Sequence, residues 1–182
     1  MTLSLQRRIR APEWDATQEH AMATAHDFRF RRLCSGEDIN LSQFAGSVLL
    51  VVNVASACGY TPQYRDLEAL YEAKKAKGLV VLGVPSNDFG AQEQGSEEDI
   101  ASFCDASYHV TFPMTSKVEI LSANRHPFYD WISEQAGSSA LPRWNFHKYL
   151  VGKRGELINA FPSSAAPLGP EMLTAIDRAL AD

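Results

Sequence analysis

The sequence predicts an α/β fold with a central mixed sheet flanked by helices, and three observations carry this. Val48 to Val54 and Leu79 to Val84 are near-continuous aliphatic runs, the pattern of strands buried on both faces. The segment between them has apolar residues three and four apart, so a helix joins the two strands and makes them parallel. Trp144 to Val151 and Leu157 to Phe161 read instead as strands joined by a turn between Gly152 and Gly155, an antiparallel hairpin.

Residues 1–23 show neither a helical nor a strand period and are expected to form a loosely held arm, ahead of one domain over residues 24–182. Phe28 and Phe30 alternate with Arg29 and Arg31, and Ser35-Gly36 turns the chain toward Ile39-Asn40-Leu41, giving an N-terminal hairpin. Cys34 beside that turn reads as an incidental thiol. Thr61 is a candidate cap and Pro62 suits the first position of a helix running to about Lys77. Tyr64, Leu67, Leu70 and Tyr71 share one face of it, and Gly78 stops it. The strands on either side are expected at the centre of the sheet. Their C-terminal ends point the same way, so Cys58 and the loop from Pro85 to Gln92 emerge together, where open α/β sheets place their sites.

Ser96, followed by Glu97, Glu98 and Asp99, starts a helix expected to run to about Tyr108, with Ile100, Phe103 and Cys104 on one face. Thr111 to Met114 reads as extended, Pro127 to about Gln135 as helix, and Glu171 to about Leu180 as a closing helix. The order βαβ, helix, helix, ββα resembles a thioredoxin-like fold with insertions.

A chain of 182 residues is long enough to bury one sizeable core without disulfide or metal staples. Its net charge of −5 gives no basic footprint for nucleic acid. Three cysteines are too few for a secreted disulfide scaffold and fit a reducing compartment, with the cytoplasm as the expectation. No apolar run has the length of a membrane span, and the N-terminal segment lacks the apolar stretch of a secretory signal.

Cys58 is the residue with chemistry in it. It follows a buried strand and precedes a helix, where unpaired N–H groups and the positive end of the helix dipole favour an anion. The bland alternative is a small apolar residue at a strand end. Cys58-Gly59-Tyr60-Thr61 has the spacing of a CxxC motif with Thr61 in the second position, so a local dithiol is ruled out.

The segment NVASACGYTPQY, from Asn53 to Tyr64, closely resembles the nucleophile segment of the glutathione peroxidase family, in its cysteine form. The resemblance covers about Phe28 to Phe161 and includes NDFGAQEQG and WNFHKYLVG. It implies Cys58 as peroxidatic nucleophile, with Gln92, Trp144 and Asn145 as N–H donors to the sulfur and to the oxygen that leaves. It further implies Cys104, in FCDASYHVTFPM, as the resolving cysteine of the thioredoxin-dependent branch, forming a Cys58–Cys104 disulfide. Cys104 is helical in this reading and must leave its helix to reach Cys58, with Gly95 and the Glu97-Glu98-Asp99 turn as the place to open.

The resemblance implies a hydroperoxide substrate and thioredoxin, or glutathione, as reductant, with no cofactor and no metal. The short connection between Trp131 and Trp144 lacks the insertion of tetrameric, glutathione-using members and so implies a monomer. No cluster of arginine or lysine argues for a dedicated glutathione pocket. Gln94 departs from the proline usual after Gln-Glu, which puts the stiffness of the Gln92 loop in question. Met22, just before the family-like sequence, is an alternative start. A peroxide sensor passing oxidation to a partner uses the same residues and stays open. A non-catalytic thioredoxin-like module is disfavoured by the intact set, and Cys58, His109 and His147 have no ligand spacing useful for a metal.

Overall fold

The computed structural model describes residues 23–182. Met22 and the arm expected over residues 1–23 lie outside them, except Ala23, whose carbonyl accepts a hydrogen bond from Trp131 Nε1 at 2.8 Å. Among the described residues a 3-10 turn over Ala25–Asp27 leads into β1 (Arg29–Arg31) and β2 (Asp38–Asn40), an antiparallel hairpin that pairs Phe30 with Ile39 and buries both. Then follow β3 (Val48–Val54), α1 (Gln63–Lys74) and β4 (Leu79–Pro85). They are succeeded by α2 (Glu97–Tyr108), α3 (Pro127–Ala136), β5 (Lys148–Val151), β6 (Leu157–Phe161) and α4 (Pro170–Ala181).

The main sheet has the order β4-β3-β5-β6, with β3 and β4 parallel and the other neighbours antiparallel. All seven residues of β3 are buried, and their alternation splits the core in two. Val48, Leu50, Val52 and Val54 pack with Tyr64, Leu67 and Leu70 of α1, Ile100 and Cys104 of α2, and Met172 and Ile176 of α4. Leu49 and Val51 face the other way, toward α3 through Phe128, Trp131 and Ile132 and toward the hairpin through Phe30 and Ile39. Each such aliphatic side chain contributes about 1.5–3 kcal/mol by leaving water, so β3 is the strand on which both layers depend.

Three expectations need correction. The centre of the sheet is β3 with β5, and β4 lies at an edge, because the returning hairpin inserts β5 on the far side of β3. That edge is closed by a short bridge, in which Gly83 N donates to Pro113 O at 3.0 Å and Thr115 N to Gly83 O at 2.9 Å. The strand expected from Trp144 begins only at Lys148, since Phe146 takes φ 63°, a left-handed conformation that no strand continues through. The first helix starts at Gln63, and after Lys74 it tightens to a short 3-10 turn over Lys75–Lys77 before Gly78 at φ 96°.

Candidate active site

The turn that carries Cys58 is built around Thr61, which does not cap α1 as expected. Its hydroxyl accepts from Cys58 N at 2.9 Å and donates to Ala55 O at 2.8 Å, closing the chain between β3 and α1 into a compact loop. Successive turns, Thr61 N to Cys58 O and Gln63 N to Tyr60 O, then wind it into the helix. Cys58 is only 8% exposed, and its Sγ accepts a hydrogen bond from Tyr60 N at 3.4 Å. One backbone donor is therefore aimed at the sulfur.

The register pairs Val54 with Pro85, so the loop after β4 leaves the sheet beside this turn. Ala57 N donates to Gln92 O at 3.1 Å and ties the two loops together. Gly90 at φ 70° and Ala91 at φ 51° reverse the chain just before Gln92. The stiffness that proline would give is supplied otherwise: Gln94 Nε2 bonds back to Ala91 O at 3.1 Å, and Lys117 Nζ holds Gly95 O at 2.7 Å.

Asn145 is fully buried, and Nδ2 spends both protons, on Phe89 O at 3.2 Å and on Gln92 Oε1 at 3.0 Å. A carbonyl can only accept, so Phe89 O dictates which way this amide faces. The bond to Oε1 in turn fixes the Gln92 amide with Nε2 on its other side. Neither Gln92 Nε2 nor the Trp144 indole N–H has a hydrogen-bond partner among the described residues. Trp144 is 39% exposed and lies so close to Gly90 that a Cβ there would sit 2.9 Å from its Cη2. Asn53 anchors the whole segment, donating Nδ2 to Trp144 O at 3.1 Å and accepting His147 N on Oδ1 at 3.0 Å.

The structure thus joins Gln92 to Asn145, sets Trp144 against the Gln92 loop and pins that loop beside Cys58. A groove of about 540 Å³ opens beside Tyr60, two residues after Cys58, and is lined further by Leu141, Arg143, Trp144, His147 and Pro162. A second cleft of about 440 Å³ lies on the α2 side of Gln92, among Ala57, Glu93, Ile100 and Phe103.

Cys104 shares with Cys58 the core layer on the α1 and α2 side of the sheet. It is 3% exposed in α2, a helix whose Ser96 cap accepts from Asp99 N at 3.2 Å while Asp99 Oδ2 accepts from Ser96 N at 2.9 Å. Burial pushes its thiol up to about 11, the Glu93 charge adding to the effect and the Tyr64 hydroxyl opposing it. All three cysteines are free thiols, and Cys34 is exposed at φ 63° with its N–H on Glu97 Oε2 at 2.7 Å. Among the described residues no three or more His, Cys, Asp or Glu side chains are grouped to hold a metal, and Cys58, His109 and His147 form no such set.

Residues 26–133 match the glutathione peroxidase family. This chain belongs to that family. Cys58, Gln92 and Cys104 fall inside the matched stretch, and Trp144 and Asn145 lie beyond it. The chain is 45% identical over 134 residues to the glutathione peroxidase-like peroxiredoxin gpx1 of Schizosaccharomyces pombe, covering 72% of this chain and 85% of the relative. It is 40% identical over 168 residues to the thioredoxin/glutathione peroxidase BtuE of Escherichia coli, covering 80% and 92%. The crystal structure of Trgpx in apo form superposes with a TM-score of 0.70 at 33% identity, over 88% of this chain and 97% of that one. A thioredoxin family protein of Chlorobium tepidum, at 11% identity and a TM-score of 0.64 over 86% and 95% of the two chains, shares the fold alone. The chain is a glutathione peroxidase-like thiol peroxidase on a thioredoxin-like fold.

Sequence reasoning missed several members of the site. Asn53 looked like one polar residue in an apolar strand, and a buried Asn there is itself the signal of a clamp. Glu93, buried with its carboxyl raised chiefly by that burial, lies one residue past the loop read from Pro85 to Gln92. Lys148 is fully buried although its neighbours suggested an ordinary strand.

Proposed function

We propose that Cys58 reduces hydrogen peroxide and organic or lipid hydroperoxides, and that its oxidised form is recycled by thioredoxin through Cys104. The observation that carries this reading is the pair of unengaged donors, Gln92 Nε2 and the Trp144 indole, on the loops that frame a buried thiol.

The Cys58 thiolate attacks the distal oxygen of ROOH, the O–O bond breaks, and Cys58 becomes a sulfenic acid while RO⁻ takes a proton and leaves as ROH. Gln92 Nε2 and Trp144 Nε1 hydrogen-bond the oxygen on which charge develops. Asn145 acts one step back, by holding the Gln92 amide the right way round. The groove beside Tyr60 and Trp144 receives the organic part of ROOH. Cys104 then condenses with the sulfenic acid, giving a Cys58–Cys104 disulfide and water, and the thioredoxin dithiol reduces that disulfide by exchange. In this reading the protein works as a monomer in the cytoplasm. Residues 1–23 serve as an arm to the catalytic domain of residues 24–182.

Peroxide titration followed by mass analysis, with and without thioredoxin, tests the scheme. Cys58→Ser abolishes turnover, because a serine hydroxyl is hardly ionised at neutral pH and is a poor nucleophile without an adjacent base. Cys34→Ser changes little. Substantial turnover by the Cys58 variant overturns the assignment. Recycling by glutathione with Cys104 idle is the second reading, favoured by how deeply α2 buries that thiol, and the Cys104 variant discussed below decides between the two.

A further inference from the structure

Lys148 is a buried cation that the peroxide chemistry leaves unused. It sits on β5 between Val52 of β3 and Phe161 of β6. Its Nζ donates to Gln63 Oε1 at 2.5 Å, Ala165 O at 2.7 Å and Ser163 O at 3.2 Å. Gln63 completes a triangle by donating Nε2 to Ser163 O at 2.8 Å. All three ammonium protons are thus used to fasten the loop after β6 to the first residue of α1, the helix that grows out of the Cys58 turn. Pro162, Ser163 and Ser164 of that loop form one wall of the groove beside Trp144.

Among the described residues no carboxylate lies within ion-pair distance of Nζ. From α1 and the loop it meets only amide and carbonyl groups, and from β3 and β6 only apolar strand partners. His147, its neighbour on β5, is the titratable group that feels it, and the Lys148 charge helps to hold that imidazole neutral. Burial alone pulls the Lys148 ammonium down to about 7. A neutral amine has two N–H groups and a lone pair, so three acceptors cannot all be served after the proton leaves.

We propose that Lys148 is a positioning residue, whose ammonium, through Ser163 O and Ala165 O, holds the wall of Pro162, Ser163 and Ser164 closed on the organic part of a bound hydroperoxide and whose deprotonation loosens that wall. The inference rests on the peroxidase reading of Cys58 and on the groove taking the organic part of the substrate. Hydrogen peroxide has no such part and does not use the wall.

The test is the ratio of two second-order rate constants for Cys58 oxidation in rapid mixing, cumene hydroperoxide over hydrogen peroxide. Both reactions need the same thiolate and the same donors, so those contributions cancel and a general loss of structure leaves the ratio unmoved. In the parent protein the ratio falls about fivefold between about pH 6 and about pH 8.5, the scale of one lost hydrogen bond. Lys148→Met, of similar length and without charge, shows the low ratio at every pH. Gln63→Ala, which removes one anchor and leaves the lysine, lowers the ratio and keeps its pH dependence. A parental ratio that is flat with pH overturns the proposal, as does a Lys148→Met ratio equal to the parent's. Failure of either peroxide to oxidise Cys58 overturns the underlying peroxidase reading instead, and this inference with it.

Discussion

Asn145 Nδ2 donates to Gln92 Oε1 at 3.0 Å across 53 residues of sequence, and this bond decides which end of the Gln92 amide is free to act. Asn145 spends its other proton on Phe89 O, so it has no N–H left to offer an oxyanion. Asn145→Ala is therefore expected to slow Cys58 oxidation by letting the Gln92 amide rotate, and Gln92→Ala to slow it by up to roughly 10²–10³-fold, as for loss of one oxyanion donor. The double variant should be no slower than Gln92→Ala, since one acts through the other. Trp144→Phe, which removes a separate donor, should slow oxidation further in the Gln92→Ala background. Rapid-mixing rate constants for the singles and doubles check both statements, and additive losses at Asn145 and Gln92 would give Asn145 a direct role.

Gly90 places Trp144. Its φ of 70° is left-handed, and an added Cβ would meet the indole Cη2 at 2.9 Å. Gly90→Ala is expected to cost about 1–2 kcal/mol from the backbone alone, and to displace the indole as well. The measurable outcome is a changed tryptophan emission spectrum together with slower peroxide oxidation. A variant that lost only stability would mean that the indole N–H contributes nothing to the reaction.

His147 is held neutral, its value lowered to about 4 by burial and by Lys148. A base whose folded value lies below its unfolded value of about 6.5 binds its proton more tightly when unfolded. Its contribution to stability is thus complete above about pH 6.5 and declines as pH falls toward about 4, where the folded state takes up the proton too. Denaturant midpoints between these limits should fall with pH in the parent protein and fall less steeply in His147→Gln. Equal slopes would assign the acid limb to carboxylates alone.

What could be read without coordinates was what is local. Val48–Val54 announces a strand buried on both faces by composition, Ser96 with Asp99 announces a helix cap by spacing, and Cys58 stands out because strand meets helix there. The resemblance to a known family supplied Gln92, Trp144 and Asn145 where composition alone would have left a loop residue and a core aromatic. What stayed hidden depends on contacts distant in sequence. Asn53 grips Trp144 and His147 from 91 and 94 residues away, and Lys148 reaches Gln63 across 85. Alternation from Trp144 to Val151 suggested one strand, but Phe146 at φ 63° breaks it, and only the tertiary grip of Asn53 explains why that conformation is kept. The place of β5 beside β3 is likewise a choice of topology that no local pattern encodes.

Cys104 supplies the last prediction. Its thiol, raised to about 11 by burial in α2, is almost wholly protonated at neutral pH, and the helix holds it away from the solvent in which a thiol near 8.5 is a few per cent ionised. Opening α2 therefore frees the sulfur to move and restores its nucleophilicity at once. Stoichiometric peroxide should then give one linked Cys58–Cys104 peptide pair, and amides of residues 97–108 should exchange faster in the oxidised protein than in the reduced one. Cys104→Ser should keep the first oxidation, lose thioredoxin-supported turnover and carry Cys58 on to sulfinic acid more readily. The helix cap gives the sharper check. Ser96→Ala removes the side chain that accepts from Asp99 N and should weaken the helix by about 1 kcal/mol. If opening precedes the attack, disulfide formation should become about fivefold faster while peroxide oxidation of Cys58 stays at the parental rate. Slower disulfide formation in Ser96→Ala would mean that Cys104 attacks from the folded helix, and full thioredoxin-supported activity in Cys104→Ser would leave the sulfenic acid to an external thiol.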